Sequence, residues 1–274
     1  MNIIEAVEYL GISRKQFENY FKFSKEIPSH KNGGRWCFGV SDLDKWRDLK
    51  EQRTILLDYD DYKACFEFAV KMAYSTHQRH GTGIRGQRSE VQTADDFVMG
   101  IMAEFAVRKF LHNRFNISVV LDTEVHQGNI TPQDFVGIFE NGVQRDCRIG
   151  VAVKSSKLKS CFNVIPPLEY EDRDRRSDVY IFARVDIPSD HLFRSVKNHP
   201  LFSEVAPYLD NTIGFRSIGD WEQVPVWITG FNYFEEFHRV TEIPGQKFEG
   251  HRYVCSVGEM HNQDAEWLDF IKLL

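Results

Sequence analysis

The sequence predicts an α+β protein built from two parts. Within the first 50 residues, short segments with helical signals surround a glycine-rich turn. Beyond them, apolar residues recur at helical spacing over residues 59–77 and 94–111, and several short runs of β-branched and aromatic residues indicate strands. We therefore expect a small domain over residues 1–54, followed over residues 55–274 by a mixed β-sheet core flanked by helices.

The composition is that of an ordinary soluble protein. The chain has 274 residues, of which 42% are hydrophobic and 27% charged, and its apolar runs are far shorter than a membrane span. Its five cysteines are scattered without a CxxC pair, which favours reduced thiols in a cytoplasm. The start of the chain lacks the features of a secretory signal. We expect a cytoplasmic protein that has no membrane partner.

The net charge of −6 argues modestly against a nucleic-acid partner. The location of charge matters more than its sum, however, because phosphate contacts come from local basic segments. Metal-dependent nucleases also need acidic ligands. The charge therefore leaves DNA as a candidate partner.

The amino-terminal segment carries helix signals in a regular order. Gly11 is a good end for a first helix, and Ser13 is a good N-cap for a second helix. Pro28 breaks that second helix, and residues 30–38 contain a turn between strand formers, which predicts a β-hairpin. Ser41 is then predicted to cap a third helix.

This arrangement resembles the winged helix-turn-helix of the excisionase and MerR-like families. The matching elements are Glu5-Ala6-x-x-Tyr9-Leu10-Gly11-Ile12-Ser13, Ile27-Pro28, Gly34-Arg35-Trp36-x-Phe38 and Ser41-Asp42-Leu43-Asp44-x-Trp46. The resemblance implies that the second helix enters a DNA major groove and that the wing touches phosphates. The implied contact residues are Ser13, Arg14, Lys15, Gln16 and Asn19 on the helix, and His30, Lys31 and Arg35 on the wing. A protein-interaction module with solvated charges is the alternative, and Glu18 and Glu26 favour it.

Residues 77–88 form a cationic, glycine-rich segment. Arg79, Arg85 and Arg88 are interleaved with three glycines, and the segment contains no acidic residue. Such a segment suits a flexible loop that follows a phosphate backbone or enters a groove. An ordinary surface loop is the alternative, and the absence of acids favours DNA contact.

Glu104 lies on the apolar face of the predicted helix over residues 94–111. A carboxylate among apolar neighbours is costly unless it is hydrogen-bonded or near a cation. Gly100, one turn earlier, lets another segment of the chain approach closely. The pattern indicates a functional carboxylate, with an ion pair to a neighbouring arginine as the alternative.

Two strand-forming runs flank Asn141-Gly142, which is a hairpin signal. The first run covers residues 132–140 and includes Asp134, and the second covers residues 148–154. A tight turn would pair Asp134 with Ile149, three residues short of Ala152. The hairpin therefore needs a bulge or a wider loop near residues 144–147.

Glu104, Asp134 and Lys154 occur in an order that resembles PD-(D/E)XK nucleases, which include type II restriction endonucleases. In that family a carboxylate, one spacer residue and a lysine stand beside a metal ion at the end of a central strand. The resemblance implies one or two Mg²⁺ ions held by Asp134, by residue 152, by the Val153 carbonyl and by Glu104. Lys154 would orient the attacking water or stabilise the transition state.

The resemblance also gives a role to the segment that follows Lys154. The cluster Ser155, Ser156 and Lys157 would contact DNA.

Ala152 stands where the family has Asp or Glu. Loss of this anionic ligand should lower divalent-ion affinity, so the resemblance predicts an inactive or severely impaired chain. One explanation is an inactivating replacement of glutamate, which Ala152→Glu would reverse. The other is natural loss of the acid in a non-catalytic DNA-binding regulator. Asp146 is a weaker source of the missing acid because it precedes the strand.

The last third of the chain predicts further strands at residues 177–185, 224–230 and 253–257, and a short helix over residues 231–240. Its many aromatic residues favour core packing over stacking on a flipped base. The run over residues 169–178 contains three arginines. It follows the predicted catalytic strand closely enough to reach DNA, and a solvated loop is an equal alternative.

The predicted function is therefore sequence-specific, Mg²⁺-dependent cleavage of double-stranded DNA, as in type II restriction–modification, in a bacterial or archaeal cytoplasm. Cutting both strands of a duplex usually needs two active sites, so we expect a homodimer. A repair or recombination nuclease that acts on junctions or ends is the alternative enzyme.

Overall fold

The computed structural model describes residues 1–74, 89–124, 133–140, 142–201, 204 and 218–274. It shows a mixed α+β fold, as the sequence predicts. The described helices are α1 (Ile3–Leu10), α2 (Arg14–Glu18), α3 (Val40–Gln52), α4 (Tyr59–Ala73), α5 (Glu90–Phe115), α6 (Pro167–Glu171), α7 (His191–Val196) and α8 (Asp264–Leu273). In these ranges, none of the helices combines the length and the apolar character needed to cross a bilayer.

The described strands form four small sheets. They are β1 (His30–Asn32), β2 (Arg35–Cys37), β3 (Thr54–Leu57), β4 (Ser118–Leu121), β5 (Phe135–Glu140), β6 (Val143–Arg145), β7 (Val151–Lys157), β8 (Phe162–Ile165), β9 (Val179–Val185), β10 (Val224–Tyr233), β11 (His238–Ile243) and β12 (Gln246–Ser256).

The amino-terminal segment folds as two helices, a hairpin and a third helix. Gly11 ends α1 with φ at +63°, a conformation that glycine adopts readily, and Ser13 caps α2, so both predictions are confirmed. A π-helical turn over Asn19–Phe23 prolongs α2. Helix α3 has Gly39 as its N-cap, so the prediction that Ser41 caps it was wrong by two residues.

The central sheet has the strand order β3-β10-β9-β7. Strand β7 is parallel to β9, whereas β10 is antiparallel to both of its neighbours. Helix α5 packs over this sheet, and Val151 and Val153 of β7 belong to the same apolar core as its buried face. Because side chains alternate along a strand, Ala152 and Lys154 lie on the opposite face.

Strands β4, β5 and β6 form a separate sheet. Strand β5 pairs with β6, so the hairpin is confirmed, but its second strand is Val143–Arg145 and not residues 148–154. The wider connection that the register required is present, because β6 ends at Arg145 and β7 begins at Val151. Strand β7 then joins β9 in the central sheet instead of continuing the hairpin.

The third sheet has the order β11-β12-β8. The predicted helix over residues 231–240 was wrong, because β10 continues to Tyr233 and β11 begins at His238, with one 3₁₀ turn between them. Pairing of β10 with β9 up to Tyr233 overrides the local helical spacing. Trp227, Phe231 and Phe237 are buried, which confirms core packing for these aromatic residues.

Arg184 of β9 connects the amino-terminal segment to the central sheet through a buried ion pair. Its side chain is fully buried, and its guanidinium donates to the two carboxylate oxygens of Glu26 at 2.9 and 2.7 Å. The guanidinium also lies 4.7 Å from the ring centroid of Trp227. The carbonyl of Ser24 accepts a hydrogen bond of 2.7 Å from the N–H of Gly258. The two predicted parts therefore share a buried, hydrogen-bonded contact.

Candidate active site

Asp134 lies against the edge of β7 that faces away from β9. Its N–H donates to the carbonyl of Val151 at 2.9 Å, and its Oδ2 accepts a hydrogen bond of 2.6 Å from the N–H of Val153. The N–H and C=O of one strand residue point to the same side, so the Val153 carbonyl also faces Asp134. Asp122 follows β4 and donates its N–H to the Asp134 carbonyl at 3.1 Å.

Lys154 is the next residue of β7, and it forms an ion pair with Glu169. The ammonium Nζ lies 2.7 Å from Glu169 Oε1. It also lies 5.8 Å from the ring centroid of Tyr180 on the neighbouring strand. Glu169 belongs to α6, which begins at Pro167, a residue whose fixed φ favours the first position of a helix. The return of the chain through β8 brings this helix back to β7.

Glu104 reaches the same group of charges from α5. It is 9% exposed, so its carboxylate is largely withdrawn from water. Burial, together with the negative charge of Asp134, raises the pKa of Glu104 well above its ordinary value, and Lys154 opposes this shift. The charges of Glu104, Asp134 and Lys154 therefore act on one another electrostatically.

The site holds more negative than positive charge. Burial raises the pKa of Asp134 to about 6, although Lys154 and the Val153 N–H favour its charged form. Burial lowers the pKa of Lys154, but Glu169 and Asp134 outweigh this effect and the net shift is upward. The ammonium therefore stays charged, and the surrounding carboxylates compete for it. A largely desolvated excess of carboxylates, in which Glu104 is buried and the other acids are half-buried, is relieved by protons or by a cation.

The donor atoms match a hard divalent cation in type. Asp134, Glu169, Glu104 and Asp122 offer carboxylate oxygens, which Mg²⁺ prefers. Within the described ranges, no three side chains of His, Cys, Asp or Glu are already arranged to enclose an ion. The Lys154–Glu169 contact draws one of these carboxylates towards the ammonium. The residues therefore fit such a cation in chemistry and charge, and their side chains would have to rearrange to enclose it.

The side chain of Ala152 lies in an apolar environment. It is 1% exposed and belongs to a buried cluster with Ile165, Tyr180 and Phe182. It shares its face of β7 with Lys154, as the resemblance requires. Asp146 is exposed in the connection before β7. In the described part of the chain, the acid that contacts Lys154 is therefore Glu169 of α6.

The sequence predicts no role in the site for Glu169 or Asp122. Glu169 is the first residue of the charged run over residues 169–178. The sequence signal at Glu169 was weak. An acid on a five-residue helix indicates a site only when the fold shows that the chain reverses through β8 and returns this helix to β7. Asp122 directly follows β4, and an acid at a strand end was the available signal.

The predicted DNA-contacting residues of α2 are partly engaged within the helix. Ser13 and Gln16 cap the helix reciprocally. Arg14 forms an ion pair of 2.9 Å with Glu18. Lys15 is exposed, and Asn19 is half-buried in the π-helical turn.

The predicted wing residues are more accessible. His30, Lys31 and Arg35 are all exposed on the β1–β2 hairpin. The ammonium of Lys31 lies 4.7 Å from the ring centroid of Trp36. The hairpin therefore presents a small cationic surface.

The remaining predicted DNA contacts lie partly on β7 and partly outside the residues that the structure describes. Ser155, Ser156 and Lys157 continue β7 and pair with Ala183, Arg184 and Val185 of β9. Both serines are half-buried, and Lys157 is exposed. Arg79, Arg85 and Arg88 lie outside the described residues.

Comparison of the chain with models of protein families, with curated proteins and with solved structures found no match. The chemistry and geometry of the site itself are therefore what supports a function for this chain.

Proposed function

We propose that this protein is a Mg²⁺-dependent endonuclease of double-stranded DNA, with an active site of the PD-(D/E)XK type. The observation that carries the proposal is the electrostatic interaction among Glu104, Asp134, Lys154 and Glu169, which come from four separate segments of the chain, with Lys154 and Glu169 in an ion pair. Their order along the chain, and the backbone bonds that hold Asp134 beside β7, agree with that type of site. We place the protein in a bacterial or archaeal cytoplasm.

In this proposal, Asp134 and Glu169 hold the cation together with the Val153 carbonyl, and Glu104 holds a water molecule or a second ion. Bound Mg²⁺ supplies polarisation of the phosphodiester and acidification of a water molecule. Lys154 donates hydrogen bonds to the attacking water or to the phosphate oxygens. Its raised pKa keeps the ammonium charged at neutral pH for this purpose.

Glu169 takes the place of the carboxylate that is missing at position 152. The ion pair between Glu169 and Lys154 supports this assignment, because the corresponding acid of the family stands beside the same lysine. The chain is then competent as it stands, with Ala152 as a packing residue. This differs from the inactivity that the strand sequence alone predicts.

The amino-terminal segment serves as a winged helix-turn-helix that binds the duplex. Its succession of two helices, a hairpin and a third helix supports this assignment, as do the exposed cations Lys15, Lys31 and Arg35 and the exposed ring of His30. Two copies of the chain act together, because cutting both strands of a duplex usually needs two active sites.

The test is incubation of the purified chain with methylated and unmethylated supercoiled plasmid and with branched junctions, in Mg²⁺ and in EDTA. Discrete linear products that require Mg²⁺ are the expected result. Cleavage of junctions alone would indicate a repair or recombination nuclease. Tight DNA binding without any cleavage would overturn the proposal in favour of a non-catalytic regulator.

A further inference from the structure

The β11–β12 hairpin extends beyond the sheet that holds its base. Strand β12 pairs with β8 only over Tyr253–Ser256, whereas β11 pairs with β12 from His238 to Ile243. Most side chains between His238 and Gly250 are exposed. A two-stranded ribbon in water is only marginally stable by itself, so a ribbon of this kind gains from contact with a partner.

Cationic groups outnumber acidic groups on this ribbon. The cations are Arg239, Lys247 and Arg252, the acids are Glu242 and Glu249, and His238 and His251 add two titratable rings. The Arg252 guanidinium donates to the carbonyls of Glu249 and His251, which fixes the ribbon internally. Arg239 and Lys247 are exposed. In a chain with a net charge of −6, a local positive excess is suited to an anionic partner.

The base of the ribbon is attached to α6. The ring of Tyr253 stacks on that of Tyr170, with centroids 3.7 Å apart and planes 13° from parallel. The Tyr253 hydroxyl donates to Glu171 Oε1 at 2.9 Å. Tyr170 and Glu171 are the two residues that follow Glu169 on this short helix. The ribbon and the proposed catalytic carboxylate are therefore both attached to α6.

A series of hydrogen bonds also connects the ribbon to Glu171 Oε1. The Arg239 guanidinium lies 3.2 Å from His251 Nδ1, and His251 Nε2 lies 2.9 Å from Glu171 Oε1. With Arg239 donating to Nδ1, the ring can donate from Nε2 to the carboxylate. Glu171 is thus the charged group at which Arg239, His251 and Tyr253 meet.

We propose that the β11–β12 ribbon contacts the phosphate backbone of the double-stranded DNA bound at the active site, through Arg239 and Lys247. Glu171 is a positioning residue that holds α6, and with it Glu169, against the ribbon. A two-stranded ribbon has the width of a major groove, and arginine and lysine are the usual phosphate contacts. This inference rests on the proposed function.

The first test measures DNA binding without cleavage. A fluorescein-labelled duplex of random sequence is titrated with the full chain in Ca²⁺, over a range of salt concentrations. The double variant Arg239→Ala/Lys247→Ala should bind more weakly, and its slope of log K against log salt should be smaller by about two. The matched control is Lys71→Ala/Lys272→Ala, which removes two exposed lysines from α4 and α8 and should leave affinity and slope unchanged.

The second test isolates the link through Glu171. The variant Glu171→Gln keeps the shape of the side chain but removes its charge, so it should bind the duplex as the wild type does. Its single-turnover cleavage should fall about tenfold, with a higher Mg²⁺ concentration for half-maximal rate, and its binding of Mn²⁺ without DNA should weaken. The control Glu67→Gln changes an exposed carboxylate of α4 and should alter none of these four quantities.

The outcomes separate this inference from the proposed function. A ribbon variant with wild-type affinity and salt slope would overturn the ribbon contact, even if the wild type cleaves DNA. A ribbon variant that changes the oligomeric state, measured by light scattering, but not the affinity per subunit would assign the ribbon to a second copy and overturn the DNA contact. A wild-type chain that neither binds nor cleaves DNA would refute the proposed function itself.

Discussion

The ammonium of Lys154 lies 2.7 Å from Oε1 of Glu169, and this contact joins the middle of β7 to a helix two elements further along the chain. The site therefore contains a carboxylate beside its lysine even though position 152 of the strand is alanine. Asp134 and Glu104 interact electrostatically with the same lysine from two other segments of the chain. The predictions below follow from this arrangement and from its electrostatics.

The variant Ala152→Glu should not raise activity above that of the unchanged chain. Residue 152 is 1% exposed and packs against Ile165, Tyr180 and Phe182, so a carboxylate there would be buried and would compete with Glu169 for Lys154. We expect a loss of stability and equal or lower Mg²⁺-dependent cleavage. The strand sequence alone predicts the opposite. A large gain of cleavage in Ala152→Glu would therefore show that the catalytic carboxylate belongs at position 152 of β7 and not at Glu169.

The variant Asp134→Asn should be more stable than the wild type at neutral pH without metal, although it should not cleave DNA. The pKa of Asp134 is raised to about 6 because the fold favours its protonated form. The stability that goes with this form is complete below the unfolded pKa and is lost as pH rises through about 6. Asparagine avoids this loss and can still accept from the Val153 N–H. We expect a gain of about 1–3 kcal/mol at pH ~7 and little difference at pH ~4.

Urea unfolding in EDTA at the two pH values measures this difference. Glu140→Gln is a suitable control, because the pKa of that exposed carboxyl is lowered by the hydrogen bond and charge of Arg145. An asparagine variant less stable than the wild type at neutral pH would show that the buried charge is fully compensated without a cation.

His261 should also make the stability depend on pH, but here the charged form of the side chain is the one that the fold stabilises. Its Nε2 lies 2.7 Å from Glu236 and its Nδ1 lies 3.0 Å from Glu266. Burial lowers the pKa of His261, but the two carboxylates outweigh it and the pKa is raised. The stabilisation is therefore complete below the unfolded pKa of about 6.5 and disappears as pH rises through the folded pKa.

The variant His261→Gln, which does not titrate, provides the comparison. The stability difference between wild type and variant should shrink as pH rises from about 6 to about 8, by at most about 1 kcal/mol, because the ring is partly exposed. Thermal unfolding across this range measures it. A difference that is constant or grows with pH would contradict the charged state of His261.

The buried pair between Glu26 and Arg184 should be one of the most sensitive contacts of the fold. Removal of the carboxylate in Glu26→Ala leaves a fully buried guanidinium without its partner, which costs about 3–5 kcal/mol. The control Glu18→Ala removes a half-buried surface partner of Arg14 and Lys22 and should cost at most about 1 kcal/mol. Equal effects of the two variants in urea unfolding would show that Arg184 does not depend on Glu26.

Local signals predicted those elements whose ends are fixed by local chemistry. Gly11 and Ser13 delimit helices through their own backbone and side-chain preferences, and the residues around Asn141-Gly142 predicted the β5–β6 hairpin. The partner of β7 was not predictable in this way. Parallel pairing of β7 with β9 depends on contacts between distant segments, which no local pattern records.

The candidate site divides along the same line. Glu104, Asp134 and Lys154 could be singled out because Glu104 and Lys154 lie on elements with a strong sequence pattern and Asp134 directly precedes another. Glu169 could not, because its role depends on the reversal of the chain through β8 and on a helix of five residues. The contact between Arg184 and Glu26 was equally hidden, since the two residues are distant in sequence.

The most direct measurement is Mg²⁺-dependent cleavage of supercoiled plasmid by the unchanged chain, by Glu169→Gln and by the control Glu67→Gln. If Glu169 is the carboxylate that accompanies Asp134 and Lys154, the unchanged chain and the control should linearise the plasmid at similar rates. The rate of Glu169→Gln should be lower by at least about a hundredfold, with its duplex binding in Ca²⁺ preserved. Cleavage by Glu169→Gln at the wild-type rate would contradict the account.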